Sequence, residues 1–126
     1  MQDGKYVILV IDDNADFREA VRLILEANDY LMVEASSAEQ GLKKYKAETP
    51  DLIIVDLMME EVDAGANFAK ELKLLNNTAP IYLLSGAGDS MASSTDYNDL
   101  GFNGVFQKPI NAQRLLGVLK AKLPEA

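Results

Sequence analysis

Five short apolar segments alternate with longer amphipathic segments along the chain. The apolar segments are rich in Val, Ile and Leu, which is typical of strands that are covered on both faces, as in a parallel sheet. They are 6–11, 30–34, 52–55, 79–84 and 104–107. Between them, apolar residues recur at the spacing of one helix face. Polar residues that precede these helical segments predict N-caps at Asn14, at Ser36 or Ser37, and at Asn111.

The alternation of strands and helices with short connections predicts an α/β fold. Successive right-handed βαβ units give a parallel sheet with helices on both faces. We expect a flavodoxin-like, doubly wound sheet of five strands in the order 2-1-3-4-5, with strands 1 and 3 side by side. The helix predicted over 89–100 is weak, because Ser, Asp and Asn compete with helical hydrogen bonds. The segment 60–65 is predicted to be an acidic loop.

Length and composition narrow the range of functions. A chain of 126 residues is expected to form one domain, 1–126. It has no Cys, so disulfides and thiolate metal sites are ruled out, and it has no His, so imidazole chemistry is ruled out. The formal net charge of −8 argues against direct nucleic-acid binding. No apolar run reaches membrane-spanning length and no signal peptide is evident, so we expect a cytoplasmic location and no membrane contact.

Polar residues stand where four of the predicted strands end. Asp12 and Asp13 follow the first strand, Asp56 the third, Ser85 the fourth and Lys108 the fifth. The carboxyl ends of parallel strands share one sheet edge, where open α/β folds place their ligand sites. Taken singly, each residue is as well explained as a cap, a turn residue or a solvated charge. Taken together, they predict a site.

The charges of this predicted site indicate a metal ion. Asp12, Asp13 and Asp56 would repel one another, and Lys108 balances only one of the three negative charges. One divalent cation would neutralise the remainder. Carboxylate, carbonyl and water oxygens, without His or Cys, favour Mg²⁺ or Mn²⁺ over zinc. A hard cation beside a carboxylate, a hydroxyl and an ammonium suits phosphoryl transfer, with Asp56 as the nucleophile.

These motifs resemble those of a known family along essentially the whole chain. The sequence is similar to the receiver domains of two-component response regulators, the family that includes the bacterial chemotaxis regulator. The matching motifs are Asp12-Asp13, Asp56-Leu57-Met58-Met59, Leu84-Ser85-Gly86 and Lys108-Pro109. Each motif is weak alone, but four in this order and spacing are highly specific.

The resemblance implies a role for each site residue. Asp56 would be the phosphoacceptor, and Asp13 and Asp56 would bind Mg²⁺ directly together with the backbone carbonyl of Met58. Asp12 would reach the ion directly or through water. By the same resemblance, Ser85 would be the switch hydroxyl, Lys108 would pair with the phosphoryl group, and the peptide bond between Lys108 and Pro109 would be cis.

Strand 5 departs from the family pattern. The position three residues before the lysine, where the family has its switch aromatic, is occupied by Val105, and Phe106 is its neighbour. Neighbouring side chains of a strand point to opposite faces, so Phe106 is not expected to replace the missing ring. Glu60 and Ala64 also depart from the usual proline and glycine of the loop after Asp56. Because Val105 stands at the switch-aromatic position, we expect the family's usual coupling between the Ser85 hydroxyl and an aromatic side chain to be altered.

The resemblance implies a phosphoacceptor switch of a two-component phosphorelay. The donor would be a histidine kinase or phosphotransfer protein, and an unknown downstream protein would read the surface of 89–100, strand 5 and the last helix. The domain would be a monomer or a weak phosphorylation-dependent dimer, and not an enzyme. The alternative is a degenerate receiver that docks proteins without phosphorylation. A haloacid-dehalogenase-type phosphatase needs a second Asp where Met58 stands, and Asp12 and Asp13 would repel the phosphate of a flavin.

Overall fold

A computed structural model of the chain describes residues 1–56, 64–86 and 101–124. Five parallel strands form one sheet in the order β2-β1-β3-β4-β5, which confirms the predicted topology. The strands are β1 (Val7–Ile11), β2 (Leu31–Ala35), β3 (Leu52–Asp56), β4 (Ile81–Ser85) and β5 (Gly104–Gln107). Each lies within two residues of its predicted position.

Four helices cover this sheet in the described part of the chain. They are α1 (Ala15–Ala27), α2 (Ala38–Glu48), α3 (Ala64–Leu74) and α4 (Ala112–Lys122). The helix predicted over 89–100 lies outside the described residues, so α4 is the helix that the sequence predicts as the fifth. The loop predicted over 60–65 is wrong in its last two residues, because α3 already begins at Ala64, a strong helix former.

The caps predicted from the sequence are present. The side chains of Asn14, Ser37 and Asn111 each accept a hydrogen bond from the backbone amide three residues on, and each has an extended backbone. Each therefore satisfies one of the amides that a helix start leaves without a partner. Of the two serines considered for α2, Ser37 is the cap. That helix ends at Glu48, and its C-cap Thr49 has a left-handed backbone with φ of 43°, directly before Pro50.

Two apolar clusters fill the two faces of the sheet. The first lies under α1 and α4, and the second lies under α2 and α3. All residues of β1, β3 and β4 are buried, as expected for strands covered on both faces. The helices in the described part of the chain are all too short or too polar to span a lipid bilayer.

Strand β5 places its two neighbouring apolar residues on opposite faces, as the sequence predicts. Phe106 is 1% exposed and belongs to the cluster under α1 and α4, where its ring stacks on Tyr82 with centroids 5.1 Å apart. Val105 is partly buried and packs against the other cluster. Phe106 is therefore a core residue, and it does not take the place of the aromatic that Val105 replaces.

Candidate functional site

The turn from β1 to α1 presents two aspartates in different environments. Asp12 is fully buried, and its Oδ1 accepts a hydrogen bond from the amide of Asn14 at 2.9 Å. Its own amide donates to the carbonyl of Ala35 at 3.0 Å, which continues the ladder between β1 and β2 by one residue. Asp13 is exposed. The turn thus directs one carboxylate into the protein and leaves the other accessible.

Asp56 brings a third carboxylate to this place. It is the last residue of β3, which pairs directly with β1, and it is 7% exposed. Asp12, Asp13 and Asp56 each offer one carboxylate oxygen, and these three oxygens lie within 4.8 Å of one another. The predicted convergence of the three acids at the carboxyl edge of the sheet is therefore present.

Lys108 contacts two of the three carboxylates. Its Nζ lies 2.7 Å from Oδ2 of Asp12 and 3.0 Å from Oδ2 of Asp56. Since Oδ2 of Asp12 forms no other hydrogen bond among the described residues, the ammonium is its partner. Burial lowers the pKa of Lys108, but hydrogen bonds and charge from Asp12 and Asp56 outweigh this, so the pKa lies above its usual value. The ammonium is therefore charged at neutral pH.

The backbone ties Lys108 to the end of β4. Its amide donates to the carbonyl of Ser85 at 2.9 Å, and the peptide bond between Lys108 and Pro109 is cis, as predicted. Ser85 is fully buried at the end of its strand, and its hydroxyl lies 3.4 Å from the carbonyl oxygen of Gly86. Ser85 thus stands at the same sheet edge as the acids. Met58, whose carbonyl is expected to bind the metal, lies outside the described residues.

Two residues of α1 contact this site in ways that the sequence did not reveal. The ring centroid of Phe17 lies 4.7 Å from Nζ of Lys108, within the range of a cation–π interaction. Nη1 of Arg18 donates to the backbone carbonyl of Asp12 at 2.6 Å. In the sequence, Phe17 marks only the buried face of a helix. In the sequence, Arg18 is recognisable only as a cationic residue five positions after Asp13.

The chemistry of these residues fits a hard divalent cation. Three carboxylates and one ammonium leave two negative charges in a small, partly buried volume, where solvent screens them poorly. The available donors are oxygen atoms, which Mg²⁺ and Mn²⁺ prefer. Asp13 is exposed, so the cluster is open to solvent on one side. An ion could therefore enter from that side.

Comparison with known proteins identifies the class to which this fold and site belong. The response regulator receiver domain family matches residues 8–120. The chain is 33% identical over 117 residues to the chemotaxis protein CheY of Bacillus subtilis (strain 168), covering 92% of this chain and 96% of that protein. The chain belongs to the response regulator receiver domains of two-component systems. Receiver domains of this family are regulatory domains of response regulators.

Further relatives include transcriptional regulators and solved receiver structures. The chain is 32% identical to the regulatory protein PhoP of Bacillus subtilis (strain 168), covering 92% of this chain but 48% of that protein, so it spans about half of its length. The chemotaxis response regulator CheY4 of Vibrio cholerae has a similar structure, with a TM-score of 0.82, 26% identity and coverage of 94% and 99%. A response regulator structure from Chloroflexus aurantiacus gives a TM-score of 0.84 at 27% identity, with coverage of 94% and 98%.

Proposed function

We propose that residues 1–126 act as a single receiver domain in which Asp56 accepts a phosphoryl group from a phosphohistidine donor. The observation that carries the proposal is the set of contacts around Asp56. Oxygens of Asp12, Asp13 and Asp56 lie within 4.8 Å of one another, and the ammonium of Lys108 contacts Asp56 at 3.0 Å. The groups that we propose as nucleophile, metal-binding acid pair and cation for the phosphoryl group therefore lie close together, which supports the proposal.

The residues that would hold Mg²⁺ or Mn²⁺ are Asp12, Asp13, Asp56 and the backbone carbonyl of Met58. When bound, the ion would supply positive charge that offsets the negative charge of the phosphoryl oxygens. A carboxylate oxygen of Asp56 attacks the phosphorus in line, and the bond from phosphorus to the donor nitrogen breaks. Its electron pair stays on the imidazole of the donor. The charged ammonium of Lys108 stabilises the transferred group, because it already lies against Asp56.

Phosphorylation changes the charge and hydrogen-bonding capacity of the site. An acyl phosphate on Asp56 carries about two negative charges in place of one and offers three acceptor oxygens. Lys108 and the hydroxyl of Ser85 are the groups that we expect to turn toward these oxygens. Ser85 ends β4 and Lys108 follows β5, and a backbone hydrogen bond joins the two residues. We therefore expect a downstream protein to read β5 and α4 together with residues 89–100, which lie outside the described residues.

A second candidate function is that of a docking module that works without phosphorylation. Val105 favours it, because this residue replaces the aromatic that the family uses to couple the hydroxyl to the surface. The complete set of acids, hydroxyl and lysine favours the phosphoacceptor instead. A docking module needs neither Mg²⁺ nor a phosphoryl donor. The two functions therefore predict different results when the protein is treated with Mg²⁺ and a phosphoryl donor.

Treatment with acetyl phosphate and Mg²⁺, followed by intact-mass measurement, tests the proposed function. We expect the wild-type protein to gain one phosphoryl group when Mg²⁺ is present and none when the ion is chelated. The Asp56→Asn variant, which keeps the size of the side chain but lacks the nucleophilic oxygen, should gain none. A wild-type protein that stays unmodified with Mg²⁺ would favour the docking module.

Asp13→Asn is expected to abolish stabilisation by Mg²⁺. At a concentration about 100 times its dissociation constant, a ligand stabilises the folded state by about 2.7 kcal/mol, so Mg²⁺ should raise the melting temperature of the wild type. The variant removes one acid ligand and one repelling charge from an exposed position. Its metal-free melting temperature should therefore rise slightly, and its response to Mg²⁺ should disappear.

Asp29→Asn is the matched control for this experiment. Asp29 is also exposed and has a φ of 66°, a backbone conformation that asparagine adopts readily. The substitution removes the same charge away from the three-acid cluster, so its response to Mg²⁺ should equal that of the wild type. Equal responses in Asp13→Asn and Asp29→Asn would count against a metal site at the acid cluster.

A further inference from the structure

Arg18 joins the acid pair to the neighbouring strand. Its Nη1 donates to the backbone carbonyl of Asp12 at 2.6 Å, and its Nε donates to Oε1 of Glu34 at 2.7 Å. The side chain of Arg18 is 16% exposed. Glu34 lies in β2, in register with Val10 of β1, and the hydrogen bond from Arg18 is the main cause that lowers its pKa. The guanidinium of Arg18 thus links β2 to the end of β1 at the sheet edge that carries the site.

The carbonyl of Asp12 takes this hydrogen bond at the point where the sheet ladder stops. The amide of Asp12 still bonds to the carbonyl of Ala35, the last residue of β2. In a parallel ladder, the amide two residues further on would then bond to the carbonyl of Asp12. That residue is Ser37, whose side chain caps α2 and whose amide makes no backbone hydrogen bond to Asp12 in the described part of the chain. Arg18 therefore supplies the donor that the sheet would otherwise have provided.

We propose that Arg18 is a positioning residue for the metal-binding acids. It fixes the peptide that links Asp12 to Asp13, and through that peptide it sets the direction of both carboxylates. The inference rests on the proposed function, because it assigns Arg18 a role in the affinity of that site for Mg²⁺. Groups that orient metal ligands commonly contribute strongly to metal affinity, although they do not contact the ion themselves.

Arg22 provides an internal comparison. It lies one turn further along α1 and also donates to Glu34, while its other described partners are Glu19 and Glu26. Arg18 and Arg22 therefore share a helix, a charge and a partner, but it is Arg18 that reaches the carbonyl of Asp12. A purely structural role through Glu34 would give both arginines similar effects.

Electrostatics and positioning predict opposite changes in Mg²⁺ affinity. Removing a positive charge near a cation site relieves Coulomb repulsion, so this effect alone would strengthen cation binding. Loss of the hydrogen bond to Asp12 frees the peptide and weakens binding. A weaker affinity in a variant that has lost positive charge therefore cannot come from the charge change, and it identifies the positioning role.

The test is a titration of Mg²⁺ into wild-type, Arg18→Met and Arg22→Met proteins, followed by calorimetry or by amide NMR. We expect Arg18→Met to raise the dissociation constant about tenfold, the lower end of the effect of outer-shell substitutions. Arg22→Met should leave it unchanged or lower it. Arg18→Lys keeps the charge but lacks the guanidinium geometry that lets Arg18 donate to Asp12 and Glu34 at once. Its dissociation constant for Mg²⁺ should therefore lie between those of the wild type and Arg18→Met.

Equal dissociation constants for Arg18→Met and Arg22→Met would overturn the inference. If Arg18→Met fails to fold, Arg18→Lys decides instead, and an affinity equal to that of the wild type would overturn the inference as well. A wild-type protein that does not bind Mg²⁺ would refute the proposed metal site itself. Failure of the inference and failure of the proposed function are therefore separate results.

Discussion

Lys108→Met is expected to slow phosphorylation by acetyl phosphate by about 10²–10³-fold, the usual effect of removing a preorganised charge-stabilising donor. Methionine keeps much of the length of the side chain but carries no charge. The ammonium that lies 3.0 Å from Asp56 would no longer stabilise the transferred phosphoryl group. Binding of Mg²⁺ should persist or become tighter, because Lys108 contacts carboxylate oxygens of Asp12 and Asp56 and competes with the ion for them.

This separation of rate from affinity distinguishes the proposed role from general damage to the site. The measurements are the rate of acyl-phosphate formation by intact mass and the dissociation constant of Mg²⁺ by titration. Lys120→Met, an exposed position near the end of α4, is the control and should change neither. A rate for Lys108→Met within a few-fold of the wild type would remove Lys108 from the mechanism.

Phe106→Ala is expected to lower the free energy of unfolding by about 3–5 kcal/mol, the usual cost of truncating a buried aromatic residue. Phe106 is 1% exposed, stacks on Tyr82, and has the guanidinium of Arg114 5.5 Å from its ring centroid. Val105→Ala should cost clearly less, because Val105 is smaller and only partly buried. Urea unfolding of both variants measures the difference.

The comparison tests whether β5 uses its aromatic residue for packing. A switch aromatic alternates between positions and is only partly held by the core, whereas a core aromatic is held by contacts on all sides. Equal and small destabilisation by Phe106→Ala and Val105→Ala would contradict the assignment of Phe106 to the core. It would also reopen the possibility that Phe106 couples the site to the surface.

Much of the fold follows from local sequence patterns. Apolar runs that end in Asp12, Asp56 or Lys108 identify the strands and the edge where their polar residues meet. The caps at Asn14 and Asn111 follow from side-chain chemistry that acts over three residues. The order of the strands is the usual one for a doubly wound sheet of this length, and the structure confirms it.

The contacts of α1 with the site could not be predicted in the same way. Arg18 meets Glu34 and the carbonyl of Asp12 only after β2 has paired with β1, so the contact depends on register and on the rotation of the helix. Likewise, Phe17 lies against Lys108, a residue about ninety positions away in the chain. Neither local propensity nor periodicity contains this information.

The position of the phosphoryl group within the chain tests the central claim most directly. After treatment with acetyl phosphate and Mg²⁺, borohydride reduction of the acyl phosphate and peptide mapping by mass spectrometry identify the modified residue. We expect modification of Asp56 alone. Asp12 is fully buried, with its carboxylate between an amide and Lys108, and the exposed Asp13 should also stay unmodified. Modification of a residue other than Asp56 would contradict the account.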